Sequence, residues 1–316
     1  MQLNVIFLTS NPAEIMRVYS ENMQKKLGNP RVVLSDAFDD SLREAEYIFS
    51  TWGMPSLSEE EIRAYFPNLK AVFYAAGSVQ GFARAFLNCG VRVFSAWGAN
   101  AVPVAEFIVA QIILANKGYF PTMAVMKQKR RHAARELAEN FPGNFGAAVG
   151  LIGCGMIGSL AANMLKKHDL RVLAYDPYLS DERAAKLGVT KCSLEELFAQ
   201  SQTISNHLPD NKQTKNMLHY DLFKLMQPCG VFINTGRGAQ VVEDDLIQAL
   251  EEEPGRMALL DVTHPEPPAP ESELYRLPNV ILTPHIAGST GQEVQRMGKY
   301  MVNEYTMLLA GRATRY

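Results

Sequence analysis

A few short motifs carry the residues whose types and spacing suit chemistry. Gly153-Cys154-Gly155-Met156-Ile157-Gly158 has the spacing G-x-G-x-x-G, after the apolar run Ala148–Ile152 and at the opening of a helix-like segment. In that context Gly153 would make a tight turn, Gly155 would let the backbone approach a pyrophosphate, and Gly158 would let helix pack on strand. The helix opening at Met156 and Ile157 would turn unpaired N–H groups toward the phosphates. Asp176 ends the next apolar run, Arg171–Asp176, and its carboxylate can accept from both ribose hydroxyls. A 2′-phosphate would meet like charge there, and Pro177 and Tyr178 follow rather than an Arg. The expectation is therefore NAD over NADP. S-adenosylmethionine sites also use glycine turns, but three glycines at this spacing with this acid favour a pyrophosphate.

Hydride transfer to a ketone creates an alkoxide. A site for it needs a proton donor, a cation to orient the carbonyl and carboxylate, and a group that tunes the donor. Residues of those types follow three strand-like runs: Arg237 after Val231–Asn234, Glu266 after Ala258–Val262, and His285 after Val280–Thr283. Ligands of open α/β sheets collect outside the carboxyl ends of strands, which is where all three would stand. His264, beside Glu266, is a rival acid. His207 reads as structural and not as the acid.

Such residues need a scaffold. A length of 316 residues suggests two domains. In the first hundred, strand-like runs at Asn4–Leu8, Tyr47–Ser50, Leu69–Tyr74 and Val91–Phe94 alternate with helix-like segments at Pro12–Leu27, Ser58–Phe66 and Val79–Asn88. Ser58 with Glu61 matches a capping box. Asn100 is the expected N-cap of an apolar helix running to about Asn116. A basic segment, Lys127–Glu139, reads as one exposed helix balanced by Glu136 and Glu139 rather than as a nucleic-acid surface. From Ala148 the strand–helix rhythm resumes, with further strands at Arg171–Tyr175 and Thr203–His207. Helices are expected at Met156–Lys167, Ser193–Gln200 and Glu243–Glu252. Gly291–Leu309 reads as a final helix with Val294, Met297, Met301, Tyr305 and Leu308 on one face. The pattern predicts an α/β protein with two Rossmann-like, doubly wound parallel sheets.

Composition narrows the function classes. The chain is 47% hydrophobic and 20% charged, with 31 basic and 33 acidic residues. That supports a packed core and gives no global argument for nucleic acid or an anionic membrane. The uncharged stretch from Asn140 to Leu165 is broken by glycines and Pro142, so it reads as turn, strand, glycine loop and helix start, not a membrane span. Cys89, Cys154, Cys192 and Cys229 are dispersed, which suits reduced thiols and no metal cluster. The opening MQLNVIFLTSNP lacks a signal-peptide pattern, and the expected location is cytoplasmic.

The ordered set Asn100–Glu106, Gly153–Gly158, Tyr175-Asp176-Pro177, His207-Leu208-Pro209, Asn234–Gly238, Asp261–Pro267 and Pro284–Gly288 resembles the D-isomer-specific 2-hydroxyacid dehydrogenases over nearly the whole chain. The resemblance implies a substrate domain of residues 1–99 plus 290–316 and an NAD-binding domain of residues 100–289, with the active site in the cleft between them. It implies that His285 is the acid in reduction and the base in oxidation. Glu266 would pair with His285 and favour imidazolium, and Arg237 would bind substrate carboxylate and carbonyl. Asp261 would hold the nicotinamide carboxamide. Thr235, Gly236 and the His207-Leu208-Pro209 turn would line the cofactor. Ala76, Gly77 and Ser78 would hold the substrate carboxylate through backbone N–H groups, while Trp52 and Gly53 form another wall. A homodimer is implied by the Asn100–Asn140 region.

The chain departs from many relatives at Thr263, Gly236 and Asn140–Ala147, which leaves the choice of 2-hydroxy acid open. Formate dehydrogenase relatives carry Gln in place of Glu266, whereas phosphite oxidation keeps all three residues. A rival of another class is an NAD(H)-sensing, dimeric interaction protein of the corepressor type, built on the same fold.

Overall fold

The computed structural model describes residues 4–314. They form two compact units. One runs from the start of the chain to Ala101 and resumes at Ser289; the other is the continuous stretch Val102–Gly288.

The first unit holds β1 (Val5–Thr9), β2 (Arg31–Leu34), β3 (Tyr47–Ser50), β4 (Ala71–Tyr74) and β5 (Arg92–Ser95). All are parallel, in the order β2-β1-β3-β4-β5. Side chains alternate between faces, so Val5 and Phe7 enter one core while Ile6 and Leu8 enter the other. In-register pairing lines up Phe7, Phe49, Phe73 and Phe94 across the sheet. Phe73 stacks on Phe49 and on Phe94 with centroids 4.8 Å apart. The helix Val294–Leu309 covers that row with Val294, Met297, Met301 and Tyr305, as its spacing predicts. It also lies close to the helix Pro12–Val18, since a Cβ on Gly298 would stand 2.4 Å from the Val18 carbonyl oxygen.

The second unit holds β6 (Ala148–Ile152), β7 (Arg171–Tyr175), β8 (Thr190–Lys191), β9 (Thr203–Asn206), β10 (Val231–Asn234), β11 (Met257–Leu260) and β12 (Val280–Leu282). The parallel order is β12-β11-β10-β9-β6-β7-β8. The direction of winding reverses between β6 and β9, the switch point at which open α/β sheets form a crevice. Both units are thus parallel-sheet α/β folds with a core on each sheet face.

Several element boundaries depart from the sequence reading. The segment Pro12–Leu27 is two helices, Pro12–Val18 and Glu21–Lys26. They part at Tyr19, whose backbone turns extended while its buried hydroxyl donates to the Ser50 carbonyl at 3.0 Å. The edge strand β2 escapes notice because only Val33 in it is buried. Asn100 is not an N-cap. The helix runs Trp97–Ala115, and Asn100 instead accepts from the Ser289 N–H at 2.8 Å within the first unit. The basic segment Lys127–Glu139 is not one helix: Lys127 ends the helix Tyr119–Lys127, Lys129 takes a left-handed conformation at φ 59°, and a separate helix covers Arg131–Ala138. Trp97–Ala115, rather than the glycine-broken stretch, is the one described helix long and apolar enough to cross a membrane. Its Ala105, Ile108 and Ile112 are fully buried, and the last two belong to a core of the second unit, as in a core helix.

Candidate active site

The loops after β6, β9, β10, β11 and β12 carry most of the singled-out residues. Gly153 ends β6 at φ +89°, and a Cβ there would meet the His207 carbonyl oxygen at 3.0 Å. A Cβ on Gly155 would meet nothing within 4 Å, whereas one on Gly158 would stand 2.0 Å from the Gly153 carbonyl oxygen. The three glycines therefore divide the work as the motif requires: a left-handed turn, an open approach for a ligand, and a close helix–strand contact. The helix Met156–Leu165 starts at this loop with Gly155 as its N-cap residue and no side-chain cap, so its first N–H groups are available to an anion.

Asp176 stands beside the same loop. Its carboxylate accepts from the Cys154 N–H and the Tyr178 N–H, each at 2.8 Å. Arg183 escaped the sequence reading. Its guanidinium donates to the Cys154 carbonyl at 2.6 Å and to the Ser159 hydroxyl at 2.9 Å. The first turn of the helix Asp181–Leu187 brings it there, a placement that sequence separation from the glycines conceals. Cys154 is buried between these charges. Burial first, and then Asp176, push its thiol up to about 11, so it stays protonated.

His207 follows β9 with both ring nitrogens buried and without partners among the described residues. Burial holds its imidazole down to about 3, so it is neutral. Its ring lies 3.5 Å from where a Gly158 Cβ would be, against the glycine loop. Thr235, after β10, likewise has a buried hydroxyl with no partner. A glycine cradle bordered by unpaired polar atoms on the next two strands fits a dinucleotide.

Around Thr235 a buried amide network sets the loop. Asn206 donates to Asn234 at 3.0 Å and to Gln240 at 2.6 Å, and Gln240 donates to the Leu208 and Pro209 carbonyls at 2.7 and 3.0 Å. Gly236 and Arg237 give their N–H groups to Asn234 and Gln240. Neither Asn206 nor Gln240 stands out in the sequence, because what matters is their convergence across strands. Arg237 itself is half-buried and donates to the Gly236 carbonyl at 2.7 Å. It makes no ion pair among the described residues, which leaves its charge for an anion.

Beyond β11 and β12, His285 Nδ1 lies 2.6 Å from Glu266 Oε1, with side-chain exposures of 50% and 42%. The pair is close enough for a charge-assisted hydrogen bond and open enough for a ligand to reach. His264 is exposed and has no such partner among the described residues. The loops are brought together by Gly238, where a Cβ would stand 1.9 Å from the Thr263 carbonyl carbon.

Asp261, expected at a nicotinamide, is 4% exposed and turned beneath the His285 loop. Its Oδ1 accepts from Ile286 N–H at 2.8 Å and Thr283 hydroxyl at 2.6 Å, and its Oδ2 from Ala287 N–H at 2.8 Å. His285 sits between these anchors at φ 55°, a left-handed conformation that a non-glycine residue holds only when its surroundings enforce it.

In the first unit, the loop Thr51–Pro55 lies at the switch between β1 and β3. Ser10 N–H donates to the Gly53 carbonyl at 2.8 Å, and Gly53 takes φ +94°. After β4, the Ala76 and Gly77 carbonyls accept from the Ser95 hydroxyl. The N–H groups of Ala76, Gly77 and Ser78 find no acceptor among the described residues. Consecutive free N–H groups of this kind make a concavity suited to an anion.

Comparison with known proteins follows the same lines. Residues 109–287 match the model of the D-isomer specific 2-hydroxyacid dehydrogenase, NAD binding domain. The chain is 32% identical over 254 residues to a D-3-phosphoglycerate dehydrogenase of Mycobacterium tuberculosis, covering 80% of this chain and 47% of that protein. It is 30% identical over 245 residues to one of Archaeoglobus fulgidus, covering 77% and 46%. The chain thus spans about half the length of these relatives. Among solved structures, Rhodotorula graminis D-mandelate dehydrogenase superposes with a TM-score of 0.82 at 21% identity, covering 99% and 97% of the two chains, which is a likeness of fold.

Proposed function

We infer activity from kinship and geometry together: the chain belongs to the D-isomer specific 2-hydroxyacid dehydrogenase family, its cofactor is NAD, and we propose that it interconverts a D-2-hydroxy acid and the 2-oxo acid. The observation that carries this reading is the 2.6 Å pair of His285 Nδ1 with Glu266 Oε1, half-exposed beside the dinucleotide-binding sheet edge.

Bound NAD would supply or take up the hydride, held by the Gly153–Gly158 turn, Asp176, His207-Leu208-Pro209, Thr235 and Gly236. With Glu266 ionised, the shared proton resides on His285 Nδ1, and Nε2 is the nitrogen turned to a ligand. In reduction His285 Nε2–H gives its proton to the carbonyl oxygen as that oxygen becomes alkoxide; in oxidation the same nitrogen takes the hydroxyl proton. Glu266 stabilises the charged ring between those events and fixes its orientation. Arg237 takes the substrate carboxylate or carbonyl through its planar guanidinium. On the first unit, the free N–H groups of Ala76, Gly77 and Ser78 suit an anionic group. Asp261 enters this reading as the residue that shapes the His285 turn.

A homodimer is part of the proposal. The second unit exposes Leu114, Tyr119, Met123, Met126 and Phe145, the last 86% exposed, apolar side chains of the kind a subunit interface covers. A single-chain mass by light scattering would remove that part.

The test follows NADH absorbance with a panel of 2-oxo acids, running His285→Ala in parallel. Turnover with at least one acid is expected, falling about 10²- to 10⁴-fold in the variant. NADH binding without turnover of any acid would overturn the enzymatic reading in favour of NAD(H) sensing.

A further inference from the structure

In the sequence no cation follows Asp176 to receive a 2′-phosphate; Pro177 and Tyr178 stand there instead. The fold brings a cation from further along the chain. Arg183 lies in the first turn of the helix Asp181–Leu187. Its Nη2 donates to the Cys154 carbonyl at 2.6 Å and to the Ser159 hydroxyl at 2.9 Å. Asp176 accepts from the N–H of the same Cys154 at 2.8 Å. One residue of the glycine turn is thus held by a carboxylate at its N–H and by a guanidinium at its carbonyl. In a dinucleotide fold this is the place where an acid accepts from the adenosine ribose hydroxyls, or where an Arg accommodates the 2′-phosphate of NADP.

Holding the turn uses only part of Arg183. Both bonds are made by Nη2. A guanidinium carries further donors on Nε and Nη1, and here these meet no acceptor among the described residues. Arg183 is exposed and makes no ion pair among the described residues. The acids of its own helix do not cancel its charge. Asp181 is paired with Lys191 at 2.7 Å, and Glu182, as the adjacent residue, faces another side of the helix. The helix Met156–Leu165 and the turn that opens it carry no charged side chain. Asp176 is therefore the carboxylate set against Arg183 across the turn, and its own two oxygens are engaged by the Cys154 and Tyr178 N–H groups. A guanidinium with a fixed position, donors to spare and no counter-ion suits a phosphate monoester.

We propose that Arg183 is a second determinant of coenzyme choice: it is the cation that a 2′-phosphate would meet, and the Asp176 carboxylate alone keeps that phosphate out. The two residues act in opposite directions on one group. Asp176 favours ribose hydroxyls and repels a phosphate carrying nearly two negative charges, while Arg183 attracts it through the donors left free. Removing the carboxylate then admits NADPH with no new cation added. The assignment rests on the coenzyme site described above and not on the reaction or its substrate. A hydrogen bond between charged groups is worth about one to two orders of magnitude in affinity, which sets the scale of the effect.

The experiment titrates the full chain with NADH and with NADPH, following nicotinamide fluorescence, and takes the ratio of the two dissociation constants. The series is wild type, Asp176→Ser, Arg183→Ala, and Asp176→Ser combined with Arg183→Ala or with Arg183→Lys. Wild type should prefer NADH. In Asp176→Ser that preference should fall about tenfold or more. Adding Arg183→Ala should bring it back by about tenfold, whereas Arg183→Lys, which keeps the charge, should leave most of the gain in place. Should Asp176→Ser not fold, Arg183→Ala alone keeps the test, since it should widen the wild-type preference about tenfold. A residue that only steadied the turn would weaken both coenzymes alike, so a ratio untouched by Arg183→Ala overturns the assignment. It is also overturned if wild type binds NADPH as tightly as NADH, or if Asp176→Ser gains nothing toward NADPH. In those cases the coenzyme site itself stands. Failure of wild type to bind NADH would overturn the site, and this assignment with it.

Discussion

Asp261→Asn separates two explanations of one carboxylate. If Asp261 shapes the His285 turn, its worth lies in three hydrogen bonds: Ile286 N–H and Thr283 hydroxyl to Oδ1, and Ala287 N–H to Oδ2. Asparagine keeps the shape but offers one acceptor. Whichever way the amide faces, an NH₂ group is set against a backbone N–H. Losing a hydrogen bond to a charged group costs about 1.5–3 kcal/mol. The bonds that survive become neutral and roughly half as strong. Together the loss is about 3–4 kcal/mol, which for a domain of this size lowers Tm by roughly 6–15 °C. His285 holds φ 55° only while that turn is enforced, and misplacement of an acid by about 1 Å can cost 10²-fold in rate. Calorimetry of the coenzyme-free protein should therefore show the drop in Tm, and kcat should fall about 10²-fold with KM for NADH nearly unchanged. A variant with wild-type Tm whose defect lies wholly in coenzyme affinity would refute the clamp and restore the nicotinamide role.

Two further outcomes follow from the coenzyme loop. His207 is neutral in the fold because burial depresses its imidazole to about 3, against about 6.5 in an unfolded chain. The unfolded state therefore binds the extra proton, so this contribution is complete above about pH 6.5 and is lost as pH falls toward 3. Near pH 5 the loss is about 2 kcal/mol, read as a difference in urea midpoint between pH 7 and pH 5, and His207→Gln should shrink that difference. Arg183→Ala removes the bonds to the Cys154 carbonyl and the Ser159 hydroxyl, worth about 1 kcal/mol where partly exposed. It should raise KM for NADH about fivefold in steady-state assays with little change in kcat. A change confined to kcat would show that Arg183 does not support the loop.

What the sequence discloses here follows from how far each signal reaches. The glycine turn, Asp176 and the capping box of Ser58 with Glu61 are local, and the last is present in full with both reciprocal hydrogen bonds. Six strands of the second unit are short apolar runs bounded by turns, and they lie within a residue or two of their expected places; the two-residue edge strand β8, exposed and polar, gave no such signal. Legibility fails where a residue's partner is distant in the chain. Tyr19 breaks a helix for Ser50, and Asn100 leaves a cap position for Ser289. Asn206 and Gln240 matter only because β9 and β10 are neighbours. Asp261 is visible as an acid after a strand, but which neighbours claim its oxygens depends on the path of the Pro284–Gly288 turn. Arg183 depends on how the helix Asp181–Leu187 is seated. Motifs name the reactive groups, and the groups that hold them in place are read only from the folded chain.

The helix Val294–Leu309 carries a consequence for how the protein is made. The phenylalanine row of β1, β3, β4 and β5 is complete in the first hundred residues, yet Val294, Met297, Met301 and Tyr305 that cover it follow only after the whole of Val102–Gly288. At ribosomal rates of about 5–20 residues per second, the wait is on the order of ten seconds or more. Meanwhile the whole of Val102–Gly288 emerges as one uninterrupted stretch able to fold as it appears. A nascent chain therefore carries an incompletely covered aromatic sheet face while Val102–Gly288 is translated. That interval, more than the finished fold, sets its demand for chaperones and its loss to aggregation when expression is fast.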